Sequence, residues 1–249
     1  MFGLPEGERI MPRFFSNDIA NNTIRITGGD AYHIGRVLRM RTGDELTVCD
    51  EQGTDYRGVI TAISPQEILL DIISKTPTLS EPSLHVTLYQ GLPKSDKMDW
   101  IIQKTVELGI RRIVPVVTCR SIVKADSSKI EKKRERWQKI AAEAAGQSGR
   151  GQIPIVSAPL SWTQMLAELV PDQTLVFYEG GGLPLTSLIT DASTDISIIV
   201  GPEGGFAQEE IDQLTGIGVV SATLGKRILR CETAPIAALA AIMCLSGNM

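Results

Sequence analysis

The stretch IIVGPEGGF at residues 198–206 decides the fold, because a buried apolar strand ends there abruptly in a glycine-rich loop. The glycines at positions 201, 204 and 205 let the backbone approach a ligand closely and expose amide groups. In parallel α/β sheets, ligands bind beyond the carboxyl ends of the strands. The stretch is therefore a candidate binding loop, although a single glycine-rich loop is more often a tight turn.

A second unusual segment, LGKRILRCETA at residues 224–234, leaves the last predicted strand, presents three cations and enters an alanine-rich helix. A third, EGGG at residues 179–182, is by itself only a flexible turn. The chain has no Walker P-loop pattern, and no dinucleotide-binding glycine pattern follows the first strand of this region. A P-loop nucleotidase is thus excluded, and an ordinary dinucleotide fold is unsupported.

Around these loops, strands and helices alternate, which predicts an α/β region with a mainly parallel sheet covered on both faces. Capping boxes at Ser128/Glu131 and Ser161/Gln164 mark two helix starts. The predicted strands are 84–90, 113–117, 153–156, 175–178, 196–200 and 219–224. The predicted helices are 98–108, 129–145, one through residue 169, 208–214 and 232–245.

The preceding part of the chain has a different rhythm. Four short β-branched segments at 23–27, 45–50, 55–64 and 67–74 are separated by turns, with a helix predicted over residues 30–40, which together predict a compact β-barrel. We therefore predict domains at 11–75 and 83–249, joined by a linker at 76–82 and preceded by an extension at 1–10.

Composition limits the class of protein. The 249 residues are 43% hydrophobic and can bury two cores, and no run of about 18 apolar residues predicts a membrane span. The N-terminus lacks the order of a signal peptide. The four cysteines are scattered without a C-x-x-C pair, which disfavours a zinc site or disulfides and fits a reducing cytoplasm.

Charge is unevenly distributed. The net charge is −4, yet residues 94–150 carry 14 Lys/Arg against seven Asp/Glu, and residues 151–249 carry three against ten. A protein that binds phosphates needs a local cationic patch and not a cationic average. A solvated basic helix explains the same numbers equally well.

Several motifs together resemble one known family. IIVGPEGGF and LGKRILRCETAPIAAL are similar to the signature of the SPOUT methyltransferases, specifically the RsmE family, which methylates uracil N3 in small-subunit (16S) ribosomal RNA. The resemblance covers nearly the whole chain outside the first ten residues. Its other motifs are MPRFF (11–15), HIGRVLRMRTGD (33–44), KSDKMDWIIQKTVELG (94–109) and WQKIAAEAAGQSGR (137–150).

The resemblance implies an N-terminal PUA-like RNA-binding β-barrel and a C-terminal SPOUT α/β domain with a trefoil knot. It further implies S-adenosylmethionine as cofactor, a homodimer, no metal, and ribosomal RNA or the assembled 30S particle as partner. The residues expected to bind the cofactor are Tyr178, Glu179, Gly201, Glu203, Gly204, Gly205, Leu224, Gly225, Ile228, Leu229, Thr233 and Ala234.

Catalysis is expected from Arg230 and Glu232. Losing the N3 proton spreads negative charge onto O2 and O4 of uracil, and a guanidinium beside them would stabilise that anion. Glu232 could accept the proton, anchor Arg230, or interact with the start of the last helix. His33 and His85 lie outside the cofactor motifs and receive no catalytic role.

RNA phosphates are expected to contact Arg36, Arg39, Lys94, Lys97, Arg120, Lys124 and Arg150, although each alone is more often a solvated charge. Two other functions stay open: a SPOUT methyltransferase for another RNA or another position, and a catalytically silent RNA-binding or ribosome-assembly factor.

Overall fold

The computed structural model describes residues 13–121, 127–190 and 193–249, without the side chains of 127–129. The described chain forms two compact units. The first comprises residues 13–81 and Ala145–Ile153, and the second comprises Pro82–Ala144 and Pro154–Met249. The predicted limits, 11–75 and 83–249, had placed residues 145–153 in the second domain. They belong to the first unit because Arg150 pairs with Glu81 there at 2.7 Å.

The first unit is a six-stranded sheet of order β1-β4-β5-β6-β3-β2, in which only β1 and β4 pair in parallel. Its elements are β1 (Phe14–Phe15), β2 (Ile19–Ala20), β3 (Thr23–Thr27), α1 (Gly28–Tyr32), a π-helical turn (His33–Val37), β4 (Glu45–Cys49), β5 (Thr54–Ile63) and β6 (Glu67–Pro77).

Alternation along the strands builds the core of this unit. Ile24 and Ile26 of β3 are buried, and they pair in register with Leu70 and Ile68 of β6. Successive side chains of a strand point to opposite faces, so the polar residues between them face outward. The same pattern in the sequence is what predicted these strands.

The helix predicted over residues 30–40 is shorter and less regular. α1 ends at Tyr32, and His33–Val37 continues as a π-helical turn. Its core contact is Ile34, which is fully buried, whereas Tyr32 is 58% exposed. Arg39 then adopts a φ of +57°, which no α-helix allows. Packing of Ile34 in the core thus outweighs the helix propensity of this segment in setting its local geometry.

The second unit contains a parallel sheet of order β10-β8-β7-β13-β11-β14-β12, with β9 paired to β8. Its elements are β7 (His85–Gly91), α2 (Lys97–Glu107), β8 (Arg112–Val117), α3 (Ser127–Gln147), β9 (Ile155–Val156), β10 (Leu160–Ser161), α4 (Trp162–Glu168), β11 (Thr174–Phe177), β12 (Leu183–Pro184), β13 (Asp195–Val200), α5 (Gln208–Gly216), β14 (Val220–Thr223) and α6 (Thr233–Leu245). The last three residues of α3 belong to the first unit.

All strand pairs recorded for the described part of this sheet are parallel, so the predicted parallel sheet is confirmed. β13 lies between β7 and β11, and Gln90 pairs with Val200 in register, so both strands end at the same edge. α6 contacts α2 and β13. The trefoil knot stays a prediction.

Local signals set the helix starts. Ser161 and Gln164 form the predicted capping box of α4, while the side chain of Ser128 lies outside the described part of the chain. Within that part, no helix has the length and apolar character needed to cross a membrane.

Candidate active site

Three loops meet at the carboxyl edge of the parallel sheet and enclose a cavity of about 470 Å³. They follow β11, β13 and β14, strands that are neighbours in the order β13-β11-β14. We call residues 201–205 the glycine loop and residues 224–230 the basic loop. The lining also includes Lys97, at the start of α2.

Most of the residues predicted to bind a cofactor lie in this lining. Thr233 is the exception; it starts α6, where its backbone N–H donates to the carbonyl of Arg230 at 2.9 Å. The members found there are Tyr178, Glu179, Gly201, Glu203, Gly204, Gly205, Leu224, Gly225, Ile228, Leu229 and Ala234. The sequence did not predict Lys97 or Phe206 as cavity residues, and only the tertiary contacts bring Lys97 to the cavity.

The glycine loop is packed closely against β7. The side-chain amide of buried Gln90 donates to the carbonyl of Gly201 at 3.2 Å and, more weakly, to that of Val200. A Cβ on Gly91 would lie 2.5 Å from Pro202, and Gly205 has a φ of +66°. Glycine is therefore required both inside the loop and beneath it.

Two carboxylates hold the glycine loop and the segment that follows it. Glu203 accepts from the backbone N–H of Lys94 at 3.2 Å and lies 3.0 Å from the Lys97 amine. Burial alone would raise the pKa of Glu203, but hydrogen bonds from its own backbone N–H and from Lys97 outweigh burial and lower it. Glu203 is therefore a carboxylate at neutral pH.

Glu210 holds the segment that follows the glycine loop. The chain has Ala207 where a Ser or Thr cap would be expected, and buried Glu210 instead accepts the Ala207 N–H at 2.9 Å and the Cys119 N–H at 2.8 Å. The neighbouring Arg120 donates to the carbonyl of Gly204 at 2.6 Å. The segment after β8 is thereby attached to the glycine loop.

The basic loop is open by comparison. Among the described residues, the side chains of Lys226, Arg227 and Arg230 make no ion pair, and all three are exposed. Ile228 is 87% exposed. The loop therefore presents three free cations and an apolar side chain at the cavity.

Glu232 follows the basic loop and lies 3.1 Å from the Lys97 amine. Burial would raise its pKa, but the Cys231 thiol, the backbone and Lys97 donate to it and lower it. Its side chain does not cap α6, and no contact with Arg230 is recorded in the described chain. Of the three roles considered for Glu232, anchoring of Arg230 by an ion pair is not observed among the described residues, where Glu232 pairs with Lys97.

Cys231 is buried beside this carboxylate. Burial, followed by its hydrogen bond to Glu232 at 3.2 Å, raises the pKa of the Cys231 thiol to about 12. A thiol with that pKa remains protonated at neutral pH and is a poor nucleophile. Cys231 therefore donates a hydrogen bond at this site.

The loop after β11 closes the third side. A Cβ on Gly180 would lie 2.2 Å from the Tyr178 ring, and one on Gly182 would lie 2.3 Å from the Ser221 carbonyl. The Glu179 carboxylate lies over Gly205, where a Cβ would come within 3.1 Å of it. No other partner of Glu179 is recorded among the described residues.

The residues predicted to contact phosphates divide into two groups. Arg36, Arg39 and the side chain of Lys94 are exposed. Lys97 and Arg120 are engaged with the glycine loop, and Arg150 is 4% exposed and paired with Glu81, which removes its guanidinium from solvent. Lys124 lies outside the described residues.

Neither histidine lines the cavity. His33 contacts the Phe14 ring with centroids 6.1 Å apart, and His85 lies 3.4 Å from Asp195. In the described chain, no group of three His, Cys, Asp or Glu residues is arranged to hold a metal ion.

Two family models match this chain, as do relatives of known sequence and known structure. An RNA methyltransferase PUA domain model matches residues 26–73, and an RNA methyltransferase domain model matches residues 80–243. The ribosomal RNA small subunit methyltransferase E of Bacillus subtilis is 40% identical over 228 residues, which cover 88% of this chain and 89% of the relative.

A relative of the same name from Synechocystis is 34% identical over 233 residues, covering 91% of this chain and 75% of its own. The crystal structure of a ribosomal RNA small subunit methyltransferase E from Neisseria gonorrhoeae bound to S-adenosylmethionine matches with a TM-score of 0.86 at 33% identity. That match covers 94% of this chain and 98% of the other.

Proposed function

This chain belongs to the ribosomal RNA small subunit methyltransferase E family, and we propose that it methylates N3 of one uridine in 16S ribosomal RNA. It is an RNA methyltransferase that uses S-adenosylmethionine. The predicted PUA-like domain and α/β methyltransferase domain are both matched by family models. The N3 proposal rests on the position of Arg230. This residue is exposed at the cavity and has no ion partner among the described residues.

The cavity fits S-adenosylmethionine. Its volume of about 470 Å³ is within the usual range for ligand pockets, and Gly201, Gly204 and Gly205 contribute backbone to its lining. The Glu179 carboxylate would attract the positive charges of the cofactor. Bound there, S-adenosylmethionine supplies a methyl group on a positively charged sulfur.

Arg230 would act on the RNA base. Its backbone is held at the start of α6, since the Arg230 carbonyl accepts from both Thr233 and Ala234 at 2.9 Å, and its guanidinium is exposed at the cavity. A guanidinium placed beside O2 or O4 of uracil would stabilise the anion that forms when N3 loses its proton. Its charge remains available for this role because no carboxylate pairs with it in the described part of the chain.

Glu232 is better suited to positioning than to accepting a proton. Its pKa is lowered by Cys231, its own backbone and Lys97, against the effect of burial. A carboxylate with a lowered pKa is a weak base at neutral pH. We therefore assign it to the support of the basic loop.

The first unit would bind the RNA substrate. Arg36 lies within the π-helical turn, Arg39 follows it by two residues and Tyr32 lies directly before it, and all three are exposed. Cations neutralise phosphates, and an exposed aromatic ring can stack on an unpaired base. π-helical turns occur frequently at functional sites.

Two finer expectations belong to the same proposal. A homodimer would cover the exposed Ile228 at the cavity, which light scattering of the purified chain can test. A cytoplasmic location is the second expectation, and a ribosomal substrate supports it.

The decisive experiment is transfer of a labelled methyl group from S-adenosylmethionine to undermethylated small ribosomal subunits, followed by nucleoside analysis. We expect 3-methyluridine in the product. Another methylated nucleoside would replace the N3 assignment. Cofactor binding without methylation of subunits or naked ribosomal RNA would indicate another RNA substrate, and absence of cofactor binding would favour a silent RNA-binding factor.

A further inference from the structure

Lys97 joins two walls of the cavity that are distant in sequence. Its amine lies 3.0 Å from Glu203 in the glycine loop and 3.1 Å from Glu232, directly after the basic loop. The Lys97 side chain is only 30% exposed and lines the cavity itself. One cation therefore bridges two carboxylates that belong to two different loops.

The charges of this bridge depend on one another. The hydrogen bond to Glu203 is the main cause that raises the pKa of Lys97, and both carboxylates have a lowered pKa. Because each carboxylate lies about 3 Å from the same amine, the two acids are within about 6 Å of each other. Without the amine they would repel.

We infer that Lys97 is a positioning residue that holds the glycine loop and the basic loop at the spacing that binds S-adenosylmethionine. This inference rests on the proposed function of the cavity. It gives Lys97 a role other than the phosphate contact that its place in a basic segment predicts. The Lys97 amine acts through the two carboxylates and not on the RNA.

An ordinary surface ion pair contributes little to stability. The geometry around Lys97 must therefore differ from that of an ordinary pair. Each of its carboxylates has a second donor that fixes its orientation: the backbone N–H of Lys94 for Glu203 and the Cys231 thiol for Glu232. Lys104, on the same helix, pairs with Glu107 three residues away, lies over the Trp100 ring at 5.0 Å from its centroid and is 28% exposed. It joins no loops and provides a matched control.

The test measures S-adenosylmethionine affinity by calorimetry without RNA, together with the melting temperature. We expect Lys97→Met to bind about tenfold more weakly, because the carboxylates then repel. Lys104→Met should bind within about twofold of the unmodified chain. The two variants should melt at similar temperatures.

A second variant separates repulsion from simple loss of packing. Glu232→Gln should weaken cofactor binding in the unmodified chain, because it breaks one arm of the bridge. In the Lys97→Met background, the same change should strengthen binding, because it removes one of two repelling charges. If Lys97→Met does not fold, Glu232→Gln alone still tests the bridge, and unchanged affinity would overturn it.

The pH profile gives a further readout. Without Lys97, repulsion raises the pKa of one carboxylate, so protonation as the pH falls below neutral should restore cofactor affinity in Lys97→Met. The unmodified chain should not gain affinity over that range, because both of its carboxylates have a lowered pKa.

The outcomes are distinct. If Lys97→Met binds the cofactor normally and loses only RNA affinity, Lys97 is a phosphate contact and the inference is wrong. Equal losses of affinity and melting temperature in Lys97→Met and Lys104→Met would make the role merely structural. If the unmodified chain binds no S-adenosylmethionine, the proposed function fails and the inference fails with it.

Discussion

The glycine loop and the basic loop line the same cavity but are held in opposite ways. Side chains of Gln90, Lys97 and Arg120, from three different segments, bond to residues 201–204. The cations of residues 224–230 have no ion partner among the described residues. A loop that several contacts hold in place, such as the glycine loop, suits a cofactor that must be oriented. Unpaired cations, such as those of the basic loop, suit a large anionic substrate.

The largest effect is expected from a substitution in the basic loop. Arg230→Ala should lower methyl transfer about 10²–10³-fold, the usual cost of losing one donor to a developing anion. Cofactor affinity should change little, because the loss affects the transition state. Single-turnover assays with saturating RNA measure it.

Arg227→Ala, in the same loop, is the matched control for Arg230. It should weaken RNA binding, with a turnover loss of less than about tenfold once RNA is saturating. Equal losses of turnover in both variants would contradict the assignment of Arg230 to the uracil anion.

The next largest effect is expected from a substitution in the glycine loop. Gly205→Ala places a side chain at a φ of +66° and within 3.1 Å of Glu179, which should weaken cofactor binding about tenfold. Gly218→Ala has a similar strain at +96° but lies at the end of α5, away from the cavity. Calorimetry should find normal cofactor affinity in that control, and a normal affinity in Gly205→Ala would disprove the close fit.

A smaller effect tests whether Arg120 helps to hold the glycine loop in place. Arg120→Ala removes one hydrogen bond to the Gly204 carbonyl, which should cost about fivefold in cofactor affinity measured without RNA. Loss of RNA affinity alone, with normal cofactor binding, would return Arg120 to the group of phosphate contacts.

The smallest expected effect concerns the first unit. Arg36→Ala should weaken RNA binding uniformly across sequences and reduce the slope of log K against log salt by about one. Filter binding at several salt concentrations measures that slope. Arg25→Ala is a suitable control, because Arg25 already pairs with Asp18 and Glu67; an equal change of slope in both would contradict the assignment.

The sequence predicted the parallel sheet and its loops well, because each depends on local patterns. Strands of two residues, such as β10 and β12, were not predicted, because they are too short to show alternation. The π-helical turn was predicted as α-helix, because burial of Ile34 is a tertiary effect that the periodicity does not reveal.

What the sequence determined by itself was the order of the elements, the glycine positions and the motifs of the family. Only the tertiary structure decided which cations are free. Lys97, Arg120 and Arg150 look in the sequence like Arg230, yet the first three are bound to Glu203, Gly204 and Glu81. A charge is a property of one residue, but its partner comes from a distant part of the chain, and only folding brings the two together.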